Sequence, residues 1–270
     1  MSTLISADEL GPEHLLLDAR MTRGAYTAAH LEGAHGLDVE TELTGDASDP
    51  SRGGRHPLPT LDAWCRTLGH IGVGPDTRVV FYDDANGAKA AARAWWMLRA
   101  VGHEHAWVLE GGFDAAIAAG VPSTQSVPTR APMVPYPATQ WTRGTASIEE
   151  VESGLADGSV RLIDVRNAER FAGAADPYDP RPGHIPNAEN VPYSSNLAPS
   201  GRFLERGALR ALYAEALGDT PIENVIISCG SGITACHTLL ALEHAGLRGA
   251  RLFVGSYSEW SRSQRAIASD

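Results

Sequence analysis

One cysteine in this 270-residue chain lies in a sequence setting that suits nucleophilic chemistry. Residues 225–227 (Val-Ile-Ile) predict a short buried strand, and Cys229 follows at its carboxyl end. Residues 230–232 (Gly-Ser-Gly) predict a tight loop, and the stretch that follows, through Leu239, Leu240 and Leu242, predicts a helix that ends near Gly246. Backbone N–H groups of such a loop, with a helix amino terminus behind them, favour an anion. The pattern therefore indicates a Cys229 thiolate, the nucleophilic form of cysteine.

Other cysteine chemistries also use a strand, a loop and a helix, but their spacings are not met. A phosphatase-like loop needs an arginine six residues after the cysteine to clamp a phosphoryl group, and that position is Ala235. A redox pair needs Cys-x-x-Cys, whereas Cys236 lies inside the predicted helix. Cys236 and His237 also lack the spacing of a tetrahedral metal site, so no metal or cofactor is predicted. The remaining chemistry is a lone thiolate that accepts sulfur as a persulfide.

The elements that position this loop occur twice along the chain. Asp18, at the end of one predicted strand, recurs as Asp164 after 146 residues. Asp83, at the end of the next strand, recurs as Cys229 at the same separation of 146. Strands that alternate with helices predict α/β domains, each a mostly parallel sheet flanked by helices. The predicted organisation is a non-catalytic domain at residues 1–122, a proline-rich linker at 123–145 and a catalytic domain at 146–270.

Residues shared by the two repeats are interpreted as structural, because only the second repeat has a nucleophile at its strand tip. They are the pairs Asp18 with Arg20, Asp164 with Arg166, and His30 with His184. We expect the two acid–arginine pairs to brace the ends of the first strands and the two histidines to belong to the scaffold. The active site is accordingly expected in the second repeat, with the first repeat serving as a partner wall.

Composition limits the kind of protein. A hydrophobic content of 43% and a charged content of 20% are typical of a folded soluble chain. The net charge of −11 argues against nonspecific binding to nucleic acid. The sequence has no apolar run long enough for a membrane span and no visible secretory signal, and its three cysteines are too few for a disulfide scaffold. These features predict a cytoplasmic protein without a membrane partner.

Residues 229–235 (Cys-Gly-Ser-Gly-Ile-Thr-Ala) resemble the active-site loop of the 3-mercaptopyruvate sulfurtransferases in the two-domain rhodanese family. The resemblance covers nearly the whole chain, including the Trp95-Trp96 helix, residues 183–186 (Gly-His-Ile-Pro) and residues 258–260 (Ser-Glu-Trp). It implies that Cys229 takes sulfur from 3-mercaptopyruvate, a small-molecule donor, releases pyruvate and passes the sulfur to cyanide or to a thiol such as thioredoxin. The thiosulfate-using branch typically has Arg and Lys after the cysteine. A thiosulfate:cyanide sulfurtransferase and a persulfide relay module remain open alternatives.

The resemblance also implies site residues. The expected substrate-binding residues are Arg170, Arg181, Gly230, Gly232, Ile233 and Thr234. A proton relay is expected to consist of Ser231, His56 and an acid, either Asp38 or Glu40. Ser231 lies two residues from the nucleophile, close enough in sequence for its hydroxyl to act there.

Overall fold

The computed structural model describes residues 2–129 and 134–269. Contacts divide the chain into two compact units, Met1–Gly45 with Pro59–Arg143 and Asp46–Leu58 with Gly144–Asp270. Within the predicted linker, residues 134–143 group with the first unit, where the Tyr136 N–H donates to the Cys65 carbonyl at 2.9 Å. The segment Asp46–Leu58, placed by the sequence in the first domain, groups with the second unit. That segment carries His56.

The described part of the first unit is an α/β domain with a parallel sheet. Its strand order is β1-β6-β5-β2-β4, and a small antiparallel pair joins β3 to β7. The elements are β1 (Leu4–Ile5), β2 (His14–Asp18), α1 (Arg23–Ala28), β3 (His30–Leu31), β4 (His35–Gly36), α2 (Leu61–Ile71), β5 (Arg78–Tyr82), α3 (Ala91–Arg99), β6 (Ala106–Leu109), α4 (Gly112–Ala118) and β7 (Ser123–Thr124). Each strand pairing in the sheet is parallel, as predicted.

The described part of the second unit repeats this sheet. Its order is β10-β9-β11-β12-β8, again with parallel pairings. The elements are β8 (Thr145–Ala146), α5 (Ile148–Asp157), β9 (Arg161–Asp164), α6 (Ala168–Ala172), β10 (Glu189–Asn190), α7 (Arg206–Leu217), β11 (Val225–Ser228), α8 (Ala235–His244), β12 (Arg251–Phe253) and α9 (Ser256–Trp260). The strand that carries Cys229 and the strand that carries Asp83 therefore hold equivalent central positions.

Burial explains why the cysteine strand and its helix form where the sequence predicts them. Strand β11 is buried along its whole length, as expected for an apolar, β-branched strand at the centre of a parallel sheet. Helix α8 is buried from Ala235 to Glu243, so its apolar residues are needed around most of its circumference. Across the described residues, no helix combines the length and apolar character needed to cross a membrane.

The residues shared by the two repeats have the predicted scaffold roles. In each unit the first core strand ends in an aspartate whose carboxylate pairs with the arginine two residues later, at 2.7 Å in both cases. The two repeated histidines each contact the carbonyl of a preceding helix residue through Nδ1, at 2.9 Å in both cases. The residues are Asp18 with Arg20, Asp164 with Arg166, His30 with Tyr26, and His184 with Phe171.

Candidate active site

Cys229 lies immediately after β11, and only 3% of the residue is exposed. Its Sγ accepts the Gly232 N–H at 3.1 Å. Gly232 has a φ of 79°, and a Cβ at this position would overlap the Val254 carbonyl, so the turn requires glycine. The sequence thus bends the loop back over the sulfur and directs the Gly232 backbone N–H at it.

The remaining N–H groups of the loop are available to a ligand. Those of Gly230, Ser231, Ile233 and Thr234 donate to no residue in the part of the chain that the structure describes. Helix α8 begins directly behind them, so its positive end adds to the same field. This arrangement suits an anionic group bound beside the sulfur. The use of these residues and of Gly232 as substrate ligands stays a prediction.

Ser256 is a residue at the site that the sequence interpretation missed. It has a φ of 51° although it is not glycine, and it is fully buried. Its hydroxyl accepts the Cys229 N–H at 3.1 Å, donates to the Phe253 carbonyl at 2.9 Å and lies 4.0 Å from Cys229 Sγ. Left-handed backbone at a buried serine is strained, and such strain is typical of functional sites. The signal was present, because the first repeat has Gly112 at the corresponding position.

Ser231 and His56 are brought together as predicted by the resemblance. The His56 Nδ1 lies 2.9 Å from the Ser231 hydroxyl oxygen, and both side chains are partly exposed. The segment that carries His56 is held on the second unit by the Gly53 N–H, which donates to Glu259 Oε1 at 3.0 Å. Burial raises the pKa of the Glu259 carboxyl, while the Gly53 N–H opposes that rise. The Ser231 hydroxyl on the cysteine loop and the His56 imidazole therefore form a hydrogen-bonded pair.

Asp38 and Glu40, the candidate acids of the relay, lie in the first unit. The Asp38 Oδ1 accepts the N–H groups of Glu40 and Thr41, each at 3.0 Å. Asp38 thus stabilises its own turn. The assignment of either acid to the His56 relay stays a prediction.

Arg170 lies over the cysteine loop. A Cβ placed on Gly230 would lie 3.0 Å from Arg170 Nη2 and 3.6 Å from Nη1, so the guanidinium lies close over this glycine. Arg170 Nε donates to Asp176 Oδ2 at 2.7 Å. Burial by itself would raise the pKa of Asp176, but the Tyr178 N–H and the Arg170 guanidinium hold it below the usual range. Asp176 is therefore a fixed counter-ion that aims Arg170.

Arg181, the second candidate substrate arginine, has a different environment. Its guanidinium donates to the backbone carbonyls that follow α9, those of Trp260, Ser261, Ser263 and Arg265, at 2.6–3.1 Å. These contacts brace the carboxyl end of that helix and use every nitrogen of the side chain. They give Arg181 a structural role. Its predicted role as a substrate ligand is not favoured by this geometry.

Arg55 is the other cation that sequence reasoning missed. Its Nη2 lies 3.4 Å from the same Cβ position on Gly230, a contact that its position in the sequence does not indicate. Asp179, whose side chain is fully buried, pairs with Arg55 and also with Arg262, the latter at 3.0 Å. The contact between residues 55 and 179 spans too much sequence for any local pattern to reveal it. Its only local signal is adjacency to His56.

Comparisons with known proteins show the family of this chain. The family model of the rhodanese-like domain matches residues 4–119 and 147–263. The chain is 35% identical over 277 residues to a Pseudomonas aeruginosa protein named "Probable 3-mercaptopyruvate sulfurtransferase", covering 97% of this chain and 96% of that protein. It is 32% identical over 273 residues to the thiosulfate sulfurtransferase of Rattus norvegicus, covering 96% and 88%.

A solved structure gives the same result in three dimensions. The crystal structure of SseA from Escherichia coli, described as a 3-mercaptopyruvate sulfotransferase, matches with a TM-score of 0.80 and 30% identity. The match covers 96% of this chain and all (100%) of that one. Both repeats and nearly the full length are therefore shared with these proteins. The chain belongs to the rhodanese family, with two rhodanese-like domains in tandem, and it is a sulfurtransferase.

Proposed function

We propose that this protein transfers sulfur from 3-mercaptopyruvate through a persulfide on Cys229. The Cys229 thiolate attacks the donor sulfur, a new S–S bond forms and the C–S bond breaks. The electron pair of the C–S bond remains on carbon as the enolate of pyruvate. The proton of the donor thiol passes to that enolate, so pyruvate leaves and Cys229 carries an anionic persulfide.

The observation that carries this proposal is the set of loop N–H groups next to Cys229 that donate to no described residue. A persulfide adds one sulfur atom with a negative charge beyond Sγ, and the loop offers donors for it at Gly230, Ser231, Ile233 and Thr234. Arg170 above Gly230 supplies a guanidinium for the donor's carboxylate or ketone oxygen. The nucleophile and the anion cradle thus lie on one short loop, and the guanidinium of Arg170 reaches over it from α6.

Proton transfer is assigned to the Ser231–His56 pair. The hydroxyl lies 2.9 Å from the imidazole, within the range of a proton-transfer contact. The pair can accept the proton of the donor thiol and return it to the enolate carbon. No net proton is consumed in this half-reaction, so one pair suffices for both transfers.

In the second half-reaction, an acceptor removes the outer sulfur. Cyanide attacks that sulfur and leaves as thiocyanate, and Cys229 returns as the thiolate. A dithiol such as thioredoxin instead reduces the persulfide, releasing hydrosulfide and becoming a disulfide. Both routes restore the starting enzyme with atoms and electrons in balance.

Thiosulfate is the second candidate donor, because the Rattus norvegicus relative is named for it. The geometry at Gly230 favours the keto acid. The thiosulfate-using branch typically has an arginine at this position, where this chain has a glycine close beneath the guanidinium groups of Arg170 and Arg55. The cations here come from outside the loop and leave room for a carbon skeleton. The same cations favour an acid substrate over a persulfide relay that accepts sulfur from a protein.

The test compares kcat/KM for 3-mercaptopyruvate and thiosulfate with cyanide as acceptor. We expect mercaptopyruvate to be the better donor and Cys229→Ser to reduce both activities to background. Equal or higher efficiency with thiosulfate would overturn the proposed donor. Turnover of neither donor by the folded wild-type enzyme would instead favour the relay module.

A further inference from the structure

Two guanidinium groups from distant parts of the chain converge on Gly230. Arg170 Nη2 and Arg55 Nη2 lie 3.0 and 3.4 Å from the position that a Cβ on Gly230 would occupy. Arg170 belongs to α6, whereas Arg55 belongs to the segment Asp46–Leu58, which packs on the second unit. Residue 230 follows Cys229 directly, so both cations lie next to the loop residue that adjoins the nucleophile.

A buried carboxylate holds Arg55 in this place. Asp179 has no exposed side-chain area, and its Oδ1 pairs with Arg55 Nη1. Arg55 Nη1 also donates to the Tyr178 carbonyl at 3.2 Å, and the guanidinium lies 5.3 Å from the centre of the Tyr178 ring. Asp179 Oδ2 lies 3.6 Å from Arg170 Nη2, so the same carboxylate lies beside both cations. The contacts use one end of the Arg55 guanidinium and fix the direction of the other.

The end that faces Gly230 has unused donors. Arg55 Nη2 and Nε donate to no described residue, and 21% of the side chain is exposed. Arg170 Nη2 forms ion pairs but no hydrogen bond with any described residue, and 29% of its side chain is exposed. Within this described cluster, the guanidinium groups of Arg55, Arg170 and Arg262 outnumber the carboxylates of Asp176 and Asp179, leaving one excess positive charge.

We propose that Arg55 is a substrate-binding residue that, with Arg170, binds the carboxylate of the sulfur donor beside Cys229. Arginine donors match a carboxylate in charge and in planar geometry, and two of them orient it more firmly than one. Arg181 does not supply this second cation, because its nitrogens are committed to the turn after α9. The inference deepens the proposed function and depends on it for the identity of the donor.

The first test is independent of sulfur transfer. Iodoacetate and iodoacetamide both alkylate a thiolate by displacing iodide, and they differ in one carboxylate. The rate of Cys229 alkylation by each reagent is measured by peptide mass spectrometry. We expect Arg55→Gln to lower the iodoacetate rate about tenfold and the iodoacetamide rate less than about twofold, since one charge-assisted contact is lost. Arg55→Lys, which keeps the charge, should lie between the two.

Arg262→Gln is the matched control, because Arg262 pairs with Asp179 at 3.0 Å and is not among the nearest atoms to the Gly230 position. It removes one positive charge from the cluster without removing a donor above the loop. An equal loss of iodoacetate reactivity in Arg262→Gln would overturn the inference, as would an unchanged ratio in Arg55→Gln. An equal fall in the alkylation rates with both reagents, in Arg55→Gln and in Arg55→Lys, would show a structural role for Arg55 and would also overturn the inference.

Steady-state kinetics supply the second test. Arg55→Gln should raise KM for 3-mercaptopyruvate about tenfold and change kcat much less, because Arg55 contacts the carboxylate rather than the reacting sulfur. Arg52→Gln, in the same segment with 89% of its side chain exposed, should behave as wild type. A wild-type preference for thiosulfate would overturn the proposed donor, while the alkylation ratio would still decide the role of Arg55.

Discussion

The tips of β5 and β11 hold different groups on the same scaffold. In the first unit Asp83 is fully buried and its carboxylate accepts the N–H groups of its own loop at 2.8–3.2 Å, from Ala85, Gly87, Lys89, Ala90 and Ala91. In the second unit Cys229 Sγ accepts the Gly232 N–H, and neighbouring N–H groups have no partner among the described residues. The backbone anchors match, since Phe113 and Tyr257 donate to the Asp83 and Cys229 carbonyls at 2.9 and 3.0 Å.

The difference teaches what the loop is built to hold. In the first repeat a carboxylate of the chain itself fills the anion cradle, which makes that loop structural. In the second repeat the strand ends in the shorter, reactive side chain of Cys229. The N–H groups of its loop are left to bind the negative charge that forms during the reaction. Burial raises the pKa of Asp83, and the N–H groups of its loop oppose that rise. The contrast therefore separates stability in one unit from chemistry in the other.

The largest expected effect is on the structural copy. Asp83→Ala should lower the free energy of unfolding by about 3 kcal/mol or more, because it leaves several buried N–H groups unpaired. Asp83→Asn, which keeps one acceptor oxygen, should lose less. Urea unfolding measures both. Sulfur transfer per folded molecule should stay at the wild-type level. Loss of sulfur transfer in a fully folded Asp83→Ala protein would contradict a purely structural role for Asp83.

On the reactive copy, Ser231→Ala should lower kcat for 3-mercaptopyruvate about 100-fold, the lower end of the usual contribution of a positioned proton-transfer group. His56→Gln should lower kcat by a similar factor, and the double variant should lose little more, because the pair acts as a unit. Presteady-state pyruvate release measures the step directly. Unchanged turnover in Ser231→Ala would remove this residue from proton transfer.

Ser256 and Gly112 sharpen the comparison, because they are equivalent positions with φ values of 51° and 62°. Ser256→Gly relieves backbone strain but removes the hydroxyl that accepts the Cys229 N–H, whereas Ser256→Ala keeps the strain and removes the same hydroxyl. Ser256→Ala should therefore be about 1 kcal/mol less stable than Ser256→Gly. Thermal unfolding compares them. Equal stability would mean that the left-handed backbone costs nothing here.

The smallest effect concerns Glu259, where the first repeat has Ala115. Because the folded-state pKa of Glu259 is raised by burial, its contribution to stability is greatest below the usual carboxyl pKa and is lost as pH rises through the raised value. Between pH 4 and pH 7, Glu259→Gln should gain a few tenths of a kcal/mol relative to wild type, a value limited by solvent screening. Urea unfolding at both pH values measures the difference, and a relative loss would contradict the sign.

The sequence was sufficient for the fold because both repeats carry the same local signals. The helix over Leu61–Ile71 and the strand over Ala106–Leu109 end where an apolar pattern gives way to a Gly or a charged residue, so local sequence marks their ends. The tandem α/β organisation followed from equal spacing between Asp18 and Asp164 and between Asp83 and Cys229. The grouping of the segment Asp46–Leu58 with the second unit could not be read from the sequence, because its packing depends on long-range contacts.

The site was predictable where it is local and not where it is assembled from distant chain segments. Cys229, Ser231 and the glycines of the loop could be identified from one stretch of sequence. Arg55 could not, because it depends on Asp179, and that pairing depends on the path of residues 46–58. Arg181 is the reverse case. The sequence resemblance predicted that it binds substrate, but its guanidinium donates to backbone carbonyls.

The central claim is that Cys229 alone carries the transferred sulfur. The direct test treats the wild-type protein with one equivalent of 3-mercaptopyruvate without an acceptor, traps free thiols and persulfides, and locates the added sulfur by peptide mass spectrometry. The chain has three cysteines, Cys65, Cys229 and Cys236, so the assignment is unambiguous. We expect one added sulfur atom on Cys229, released as thiocyanate by cyanide. Added sulfur on Cys65 or Cys236, or pyruvate release without any persulfide, would contradict the account.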